Sequence, residues 1–374
     1  MERTDQLREQ LRHQVGEPSR WLGLLRRVTL ARNIQGSNSI EGYNVTLDDA
    51  VAAAEGDEPL DATAETWAAI RGYRQAMTYV LQLADDPHFE WNEALIRSLH
   101  YMTLSYDLSM RPGRWRTGPI YVQRSETGER VYEGPDPGEV PGLMTELIDG
   151  LRATDGSPLV RAAMAHLNLV MIHPFRDGNG RMARCVQTLV LAREGILAPE
   201  FSSVEEYLGR NTPAYYDILG EVGQGKWRPG GDARPWIRFC LTAHFRQAQT
   251  LLRRVRESEQ RWNEVEALAR ERRVPERAVP SLFDASAGFR IRNASYRASA
   301  DVSELVASRD LRTLVEAGLL EPRGERRGRF YVRGQPLADI DETIRGRRPA
   351  KTEDDPFTLA REAVAEPTLW AGRA

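Results

Sequence analysis

Between Leu159 and Ile172 the chain reads LVRAAMAHLNLVMI, apolar nearly all the way round a helical projection. A helix with no polar face has to be covered on every side, so other helices must pack around it. It is too short to cross a bilayer, and no run of about 18 apolar residues occurs elsewhere, so a membrane span is not expected. Helical periodicity supplies the covering elements: Ala64 to Leu83, Asn92 to Leu104, Leu143 to Leu151 entered through Pro141, Arg181 to Arg193 stopping at Gly195, then Pro235 to Leu252 and Glu257 to Arg272. The 374 residues leave room for two or three domains, and a net charge of −3 gives no global pull toward nucleic acid or membrane. Cys185 and Cys240 form no CxxC pair, and the charged start MERTDQLREQLRHQ holds no apolar leader. Neither a disulfide framework nor a zinc site is indicated, and a reducing cytoplasm fits.

One segment breaks the helical pattern. Residues 111–140 are rich in Gly and Pro and contain two alternating stretches, Pro119 to Gln123 and Glu129 to Glu133, around the turn sequence SETG. A β-hairpin inserted among helices is expected there. After Pro280 the character changes again: Val302 to Ala317 reads as a helix–turn–helix closed by Gly318, and GERRGRFYV as a turn and short strand. That order predicts a small winged-helix domain. From Gln335 onward the polar, Pro-containing chain reads as a loosely ordered tail. The divisions are residues 1–90, a helical N-terminal region; 91–250, the core; 251–334, a linker helix and winged-helix domain; and 335–374, the tail.

The chemistry concentrates in His173 to Arg184, HPFRDGNGRMAR. Gly178 and Gly180 flank Asn179 just before a helix, where glycine permits positive φ and leaves backbone amides bare. The helix start adds unpaired N–H groups and the positive end of its dipole, making a nest for a phosphate chain. Arg181 and Arg184, three apart, share a face and can each fork onto phosphate oxygens. Asp177, at the mouth of the turn, is a hard-oxygen ligand suited to Mg²⁺ shared with a nucleotide. His173 ends the buried helix with a near-neutral pKa, able to take a proton from an attacking hydroxyl. Phe175 is expected to anchor the loop.

This string matches the pattern HxFx(D/E)GNGRxxR, and the chain resembles the Fic family from about residue 30 to residue 245. RPGRWRTGPIYV resembles that family's approach to its flap hairpin, AAMAHLNLVMI its central helix, and EEYLGRNTPAYYDIL with RPWIRF the helices that follow. The resemblance implies a mainly α fold, a Fic-type helical bundle with a β-hairpin flap. It also implies transfer of AMP from ATP to a Ser, Thr or Tyr of a target protein. His173 would be the base and Asp177 the Mg²⁺ ligand. Gly178, Asn179 and Gly180 would cradle phosphates with Arg181, and Arg184 would take the γ-phosphate. Val131 and Tyr132 would dock the target, and Tyr215, Tyr216 and Gln224 would lie near adenine. Homodimers are common in the family. Transfer of another phosphate-linked group and removal of AMP are further activities the resemblance allows.

A second string, SNSIEG from Ser37 to Gly42, matches the family's inhibitory pattern (S/T)xxxE(G/N). Glu41 would pair with Arg184, and a carboxylate and a phosphate cannot both occupy that guanidinium. Two other readings stand beside autoinhibited transfer. His166 and His173 with Asp177 allow a metal-dependent hydrolase, although no dense ligand set accompanies them. A nucleotide-sensing regulator working through the C-terminal domain is the other. There, residues 287–334 hold ten arginines against six acids. Arg309 and Arg312 facing a DNA groove, with Arg326, Arg327 and Arg329 on phosphates, is one reading; a protein-docking or dimerising module is the other.

Overall fold

The structure is a computed structural model describing residues 2–59, 61–123, 128–195, 197–325, 328–348 and 356–357. It is mainly α. Four helices come first: α1 (Glu2–Gly16), α2 (Leu22–Ile40), α3 (Leu47–Glu55) and α4 (Ala64–Leu83). Thr46 and Thr63 open α3 and α4 by accepting the N–H three residues on. Helix α5 (Glu93–Leu104) begins in the same way, with Asn92 accepting from Leu95 N at 2.8 Å. The expected hairpin follows as β1 (Tyr121–Gln123) and antiparallel β2 (Arg130–Glu133). Most of the SETG turn lies outside the described residues.

Helices α6 (Val140–Arg152), α7 (Pro158–Ile172) and α8 (Asn179–Arg193) come next, then the short α9 (Pro199–Ser202), α10 (Glu205–Arg210) and α11 (Thr212–Gly223). The apolar segment is α7, surrounded as its composition demands: Leu159, Ala162, Ala165, Leu169 and Ile172 are buried in a core with side chains of α4, α5, α6 and α8. On its other side Ala163, Leu167 and Met171 pack with Tyr215 and Trp236, whose indole N–H donates to Ala163 O at 2.7 Å.

The two helices expected over Pro235 to Arg272 are one, α12 (Arg234–Glu271). The charged stretch Arg253–Arg256 reads as a break, but it contains neither Gly nor Pro, and Leu251, Leu252 and Val255 carry the buried stripe through it. Helices α13 (Val279–Ser286), α14 (Asn293–Ala300) and α15 (Glu304–Glu316) lead to a second hairpin, β3 (Leu320–Arg323) with β4 (Phe330–Arg333). The segment Val302–Ala317, read as a helix–turn–helix, holds a single helix; its partner is the preceding α14, and Asp301 at φ 50° makes the turn. A further correction concerns Gln335. It starts α16 (Gln335–Gly346), not a loose tail. Buried Asp341 ties α16 down, accepting from Arg261 on α12 at 2.6 Å and from Arg333 on β4 at 2.8 Å. Leu11 and Val15 of α1 are buried with side chains of α12 and α13, so the first helix shares a core with the C-terminal elements. No helix among the described residues is long and apolar enough to cross a membrane.

Candidate active site

Helix α7 ends where Ile172 gives way to His173, which adopts a left-handed conformation (φ 51°, ψ 59°) and donates its N–H to Leu169 O. For a residue other than Gly that conformation is strained and persists only where surroundings enforce it. The imidazole Nδ1 lies 3.1 Å from Val170 O. A carbonyl can only accept, so Nδ1 carries the proton and Nε2 keeps a free lone pair. Burial holds the imidazole below its usual pKa, with Arg116 adding to the effect while Glu41 and Asp177 oppose it. A neutral imidazole with Nε2 free can accept a proton, as a general base must.

The loop from His173 to Gly178 is clipped shut by Asn179. Its side chain accepts from Phe175 N at 2.9 Å and donates to Phe175 O at 3.0 Å, with Phe175 fully buried. Gly178 sits at φ 76°, a conformation that favours glycine, and a Cβ there would also press on the end of the Leu104 side chain at 2.7 Å. Helix α8 starts two residues earlier than its periodicity implies. Its first intrahelical N–H is that of Met182, bonded to Gly178 O. The N–H groups of Asn179, Gly180 and Arg181 therefore belong to the unsatisfied first turn.

An anion stands over that turn. A Cβ added to Gly180 would lie 2.5 Å from Glu41 Oε1 and 3.1 Å from Arg184 Nη1. Arg184 donates through Nη2 to Glu41 Oε1 at 2.7 Å and to Ser37 O at 3.0 Å, and through Nε to Ser37 Oγ at 2.7 Å. The arginine is 1% exposed and the glutamate 23%. Burial alone would raise the Glu41 pKa, but Arg184, with Arg181 and His173 behind it, holds the carboxyl below its ordinary value. Among the described residues Arg184 Nη1 is buried without a hydrogen-bond partner. An orphaned guanidinium N–H beside a bare helix start fits a phosphate oxygen.

Local geometry delivers Glu41 there. It caps α2, donating its N–H to Asn38 O, and Gly42 at φ 86° turns the chain away. Tyr216 donates its hydroxyl to Ile40 O at 3.1 Å, pinning the helix end. Arg181 lies 3.4 Å from Asp177 Oδ2 and from Tyr106 Oη, under the ring of Tyr43, and close enough to Glu41 to help hold its carboxyl ionised. The Asp177 side chain is 42% exposed. A lone, accessible carboxylate suits a Mg²⁺ ion that takes its remaining ligands from water and nucleotide. No group of three or more His, Cys, Asp or Glu able to hold a metal occurs among the described residues.

Of the other expected site residues, Tyr215 and Tyr216 lie beside the Glu41–Arg184 pair, within its electrostatic reach. Tyr215 is 2% exposed, its hydroxyl 3.0 Å from His166 Nε2. His166 is bonded on its other side to Gln187 Oε1, so it belongs to a closed core network and meets neither His173 nor Asp177. Tyr216 is exposed, and Gln224 caps α11 beside Arg228. In the hairpin, Tyr121 faces Glu133, Val122 faces Tyr132 and Gln123 faces Arg130, which leaves Val131 as the inserted residue of a bulge. Tyr132 is buried, its hydroxyl donating to Met171 O at 2.6 Å, so its side chain anchors the hairpin to α7. In the C-terminal unit Arg309 and Arg312 are exposed on α15, while Arg326 and Arg327 lie outside the described residues.

Three contributors are not among the expected site residues, although Arg116 lies inside the string RPGRWRTGPIYV. His100 stacks on Phe175 with centroids 3.6 Å apart. It accepts from Gly113 N at 2.8 Å, so its Nε2–H donates to Asp177 O at 2.9 Å. Burial pushes its pKa down to about 4, keeping it neutral. Tyr43 and Arg116 complete the set; each comes from a loop far from His173 in sequence.

Residues 90–191 match the Fic/DOC family. They form a Fic-family domain. Over 221 residues the chain is 28% identical to the protein adenylyltransferase Fic of Nematostella vectensis, covering 56% of this chain and 45% of that protein. It is 31% identical over 147 residues to protein adenylyltransferase fic-1 of Caenorhabditis elegans, covering 38% and 25%. The chain thus spans less than half the length of these relatives. A crystal structure of a Fic family protein from Desulfovibrio desulfuricans superposes with a TM-score of 0.55 at 23% identity, covering 90% of this chain and 97% of that one. It shares the Fic fold.

Proposed function

We propose that this Fic-domain chain transfers AMP from ATP to a hydroxyl of a target protein, and that Glu41 holds it inactive. The observation that carries the reading is the Glu41 carboxylate seated on Arg184 above Gly180, within reach of the bare first turn of α8. That position suits the terminal phosphate of a triphosphate, and a carboxylate is the nearest side-chain mimic of one. The adenylyltransferase relatives support the same chemistry at the level of the family.

In this mechanism the α8 N–H groups and Arg181 orient the phosphate chain. His173 Nε2 accepts the proton as the target oxygen forms a bond to the α-phosphorus. The bond from that phosphorus to the bridging oxygen of the β-phosphate breaks, and pyrophosphate leaves. Asp177 would hold Mg²⁺, which when bound neutralises phosphate charge. His100 keeps the Asp177 loop in place through its backbone carbonyl. The pocket requires little bond chemistry of the protein; positioning and charge supply the rate. With Glu41 on Arg184, the terminal phosphate is displaced and in-line geometry is lost.

Incubation of the Glu41→Gly variant with ATP and Mg²⁺, followed by intact-protein mass spectrometry, tests this. The expected result is a gain of one AMP on the enzyme or on added target. A gain of one phosphate, or loss of AMP from a pre-modified target with no transfer, would replace the reading.

A further inference from the structure

Arg116 lies just before the flap hairpin and is only 7% exposed. Its backbone N–H donates to Pro174 O at 2.8 Å. Its guanidinium reaches four more carbonyls: Nε to His173 O at 2.8 Å, Nη1 to Gly118 O at 2.9 Å, Nη2 to Pro135 O at 2.6 Å, and Nη2 to Ile172 O at 3.5 Å. Gly118 and Pro135 are the roots of the hairpin, one before β1 and one after β2. Ile172 and His173 are the last residue and the cap of α7. One side chain therefore joins both roots of the hairpin to the residue that carries the candidate base.

The chemistry favours arginine for this task. The last carbonyls of a helix lack intrahelical donors and carry the negative end of its dipole. A guanidinium offers five donors in a fixed plane, whereas an ammonium offers three from a single atom. The contacts also bear on the strained backbone at His173: its N–H is held by Leu169 O and its C=O by Arg116, so both flanking peptide planes are fixed. With those planes fixed, the ring stays bonded to Val170 O and Nε2 stays open.

We propose that Arg116 is a positioning residue that holds His173 in its left-handed conformation and conveys the placement of the hairpin to that base. A target segment that moves the hairpin would thereby act on His173 before chemistry begins. The activity arm of the test rests on the transfer reading above; the titration arm does not. The charged groups around the imidazole are Glu41 from the end of α2, Asp177 from its own loop, and Arg116 from the segment before the hairpin. Burial is the main influence lowering its pKa, and Arg116 lowers it further, so removal of Arg116 shifts it upward.

Arg116→Ala and Arg116→Lys, each in the Glu41→Gly background, provide the experiment. Transfer from ATP is followed across pH, with and without millimolar guanidinium, and the His173 ring is titrated by NMR. In the alanine variant kcat should fall about 100-fold, the scale of a misplaced catalytic group. KM for ATP should change little, because the phosphate contacts lie on α8. The acid limb of the rate and the ring titration should both move to higher pH, and guanidinium should restore part of kcat. The lysine variant, which keeps the charge without the fork, should lose kcat with a smaller shift of the limb. A folded alanine variant with the kcat, acid limb and His173 titration of its parent overturns the proposal. So does lost activity with neither shift nor rescue. Should the alanine variant not fold, an unaltered kcat in Arg116→Lys overturns it. Should the Glu41→Gly parent transfer nothing, the transfer reading fails, and the NMR titration still decides the role of Arg116.

Discussion

Replacing Glu41 by glycine should change the affinity for ATP far more than the affinity for ADP. The Glu41–Arg184 contact is 2.7 Å long with both partners largely enclosed. At an effective dielectric of about 20, a charge pair at that range is worth about 4–6 kcal/mol before desolvation is subtracted. Removing one partner of such a pair costs about 3–5 kcal/mol, because the other charge is left uncompensated. Arg184 keeps two bonds to Ser37, so the lower end, about 3 kcal/mol, is expected in the nucleotide-free protein. The folded carboxyl lies below its ordinary pKa, so this stabilisation is complete above about pH 4.5 and is lost as the pH falls through the folded value. In the variant the γ-phosphate of ATP can take the vacated guanidinium. A regained charge-assisted bond of about 1.5–3 kcal/mol corresponds to roughly 10- to 150-fold tighter binding. ADP has no γ-phosphate and should gain little. Calorimetric titration of both nucleotides into both proteins measures the difference. Equal gains for ATP and ADP, or no gain for either, would refute the argument that carboxylate and γ-phosphate compete for Arg184.

Further expectations follow from single contacts. His173→Ala should abolish transfer while retaining ATP binding, since no phosphate contact is assigned to the imidazole; lost binding would mark a structural histidine. Because burial holds His173 below its usual range, the acid limb of transfer by the Glu41→Gly variant should lie below about pH 6.5; a pH–rate profile with the limb above that value contradicts this. Gly36→Ala should loosen the seating of α2, because the new Cβ would sit 2.5 Å from Glu205 O on α10. A stability loss of about 1–3 kcal/mol together with raised self-modification is the expected pair of results in denaturant and labelling assays. His100→Phe keeps the stack on Phe175 but leaves Asp177 O and Gly113 N without their partner, at about 1–3 kcal/mol; weaker Mg²⁺ dependence of ATP binding in titrations should accompany it.

What the sequence revealed and what it hid divide along chain distance. The candidate phosphate site was legible because His173, Asp177, the glycines and both arginines are contiguous, and a helix start places them together without help from other segments. Arg184 and Glu41 are 143 residues apart, yet their meeting could be anticipated because SNSIEG is a recognisable string. His100 could not be found in that way, and Arg116, although it lies inside RPGRWRTGPIYV, had no role assigned to it there. Their roles consist of bonds to backbone carbonyls and amides, which leave no side-chain pattern behind. The same holds for Gly36 and Gly209, where two helices cross so closely that either Cβ would meet backbone of the other segment within 2.6 Å. Tyr215 and Tyr216 divide differently: an aromatic pair near the resemblance's adenine region reads as a ligand surface, and the structure buries the first ring against His166 and Trp236 and leaves the second exposed. Helix α16 was hidden because its amphipathic stripe of Leu337, Asp341 and Ile344 includes a buried acid, and an acid in a polar segment reads as solvated until Arg261 and Arg333 are seen around it.

The most direct measurement uses ATP labelled at the α- or γ-phosphorus with the Glu41→Gly protein and with its His173→Ala derivative. Label from the α-position should become covalently attached to protein, label from the γ-position should leave with pyrophosphate, and the derivative should carry neither. Attachment of the γ-label, or α-labelling undiminished without His173, would contradict a nucleotidyl transfer run from the pocket that Glu41 occupies.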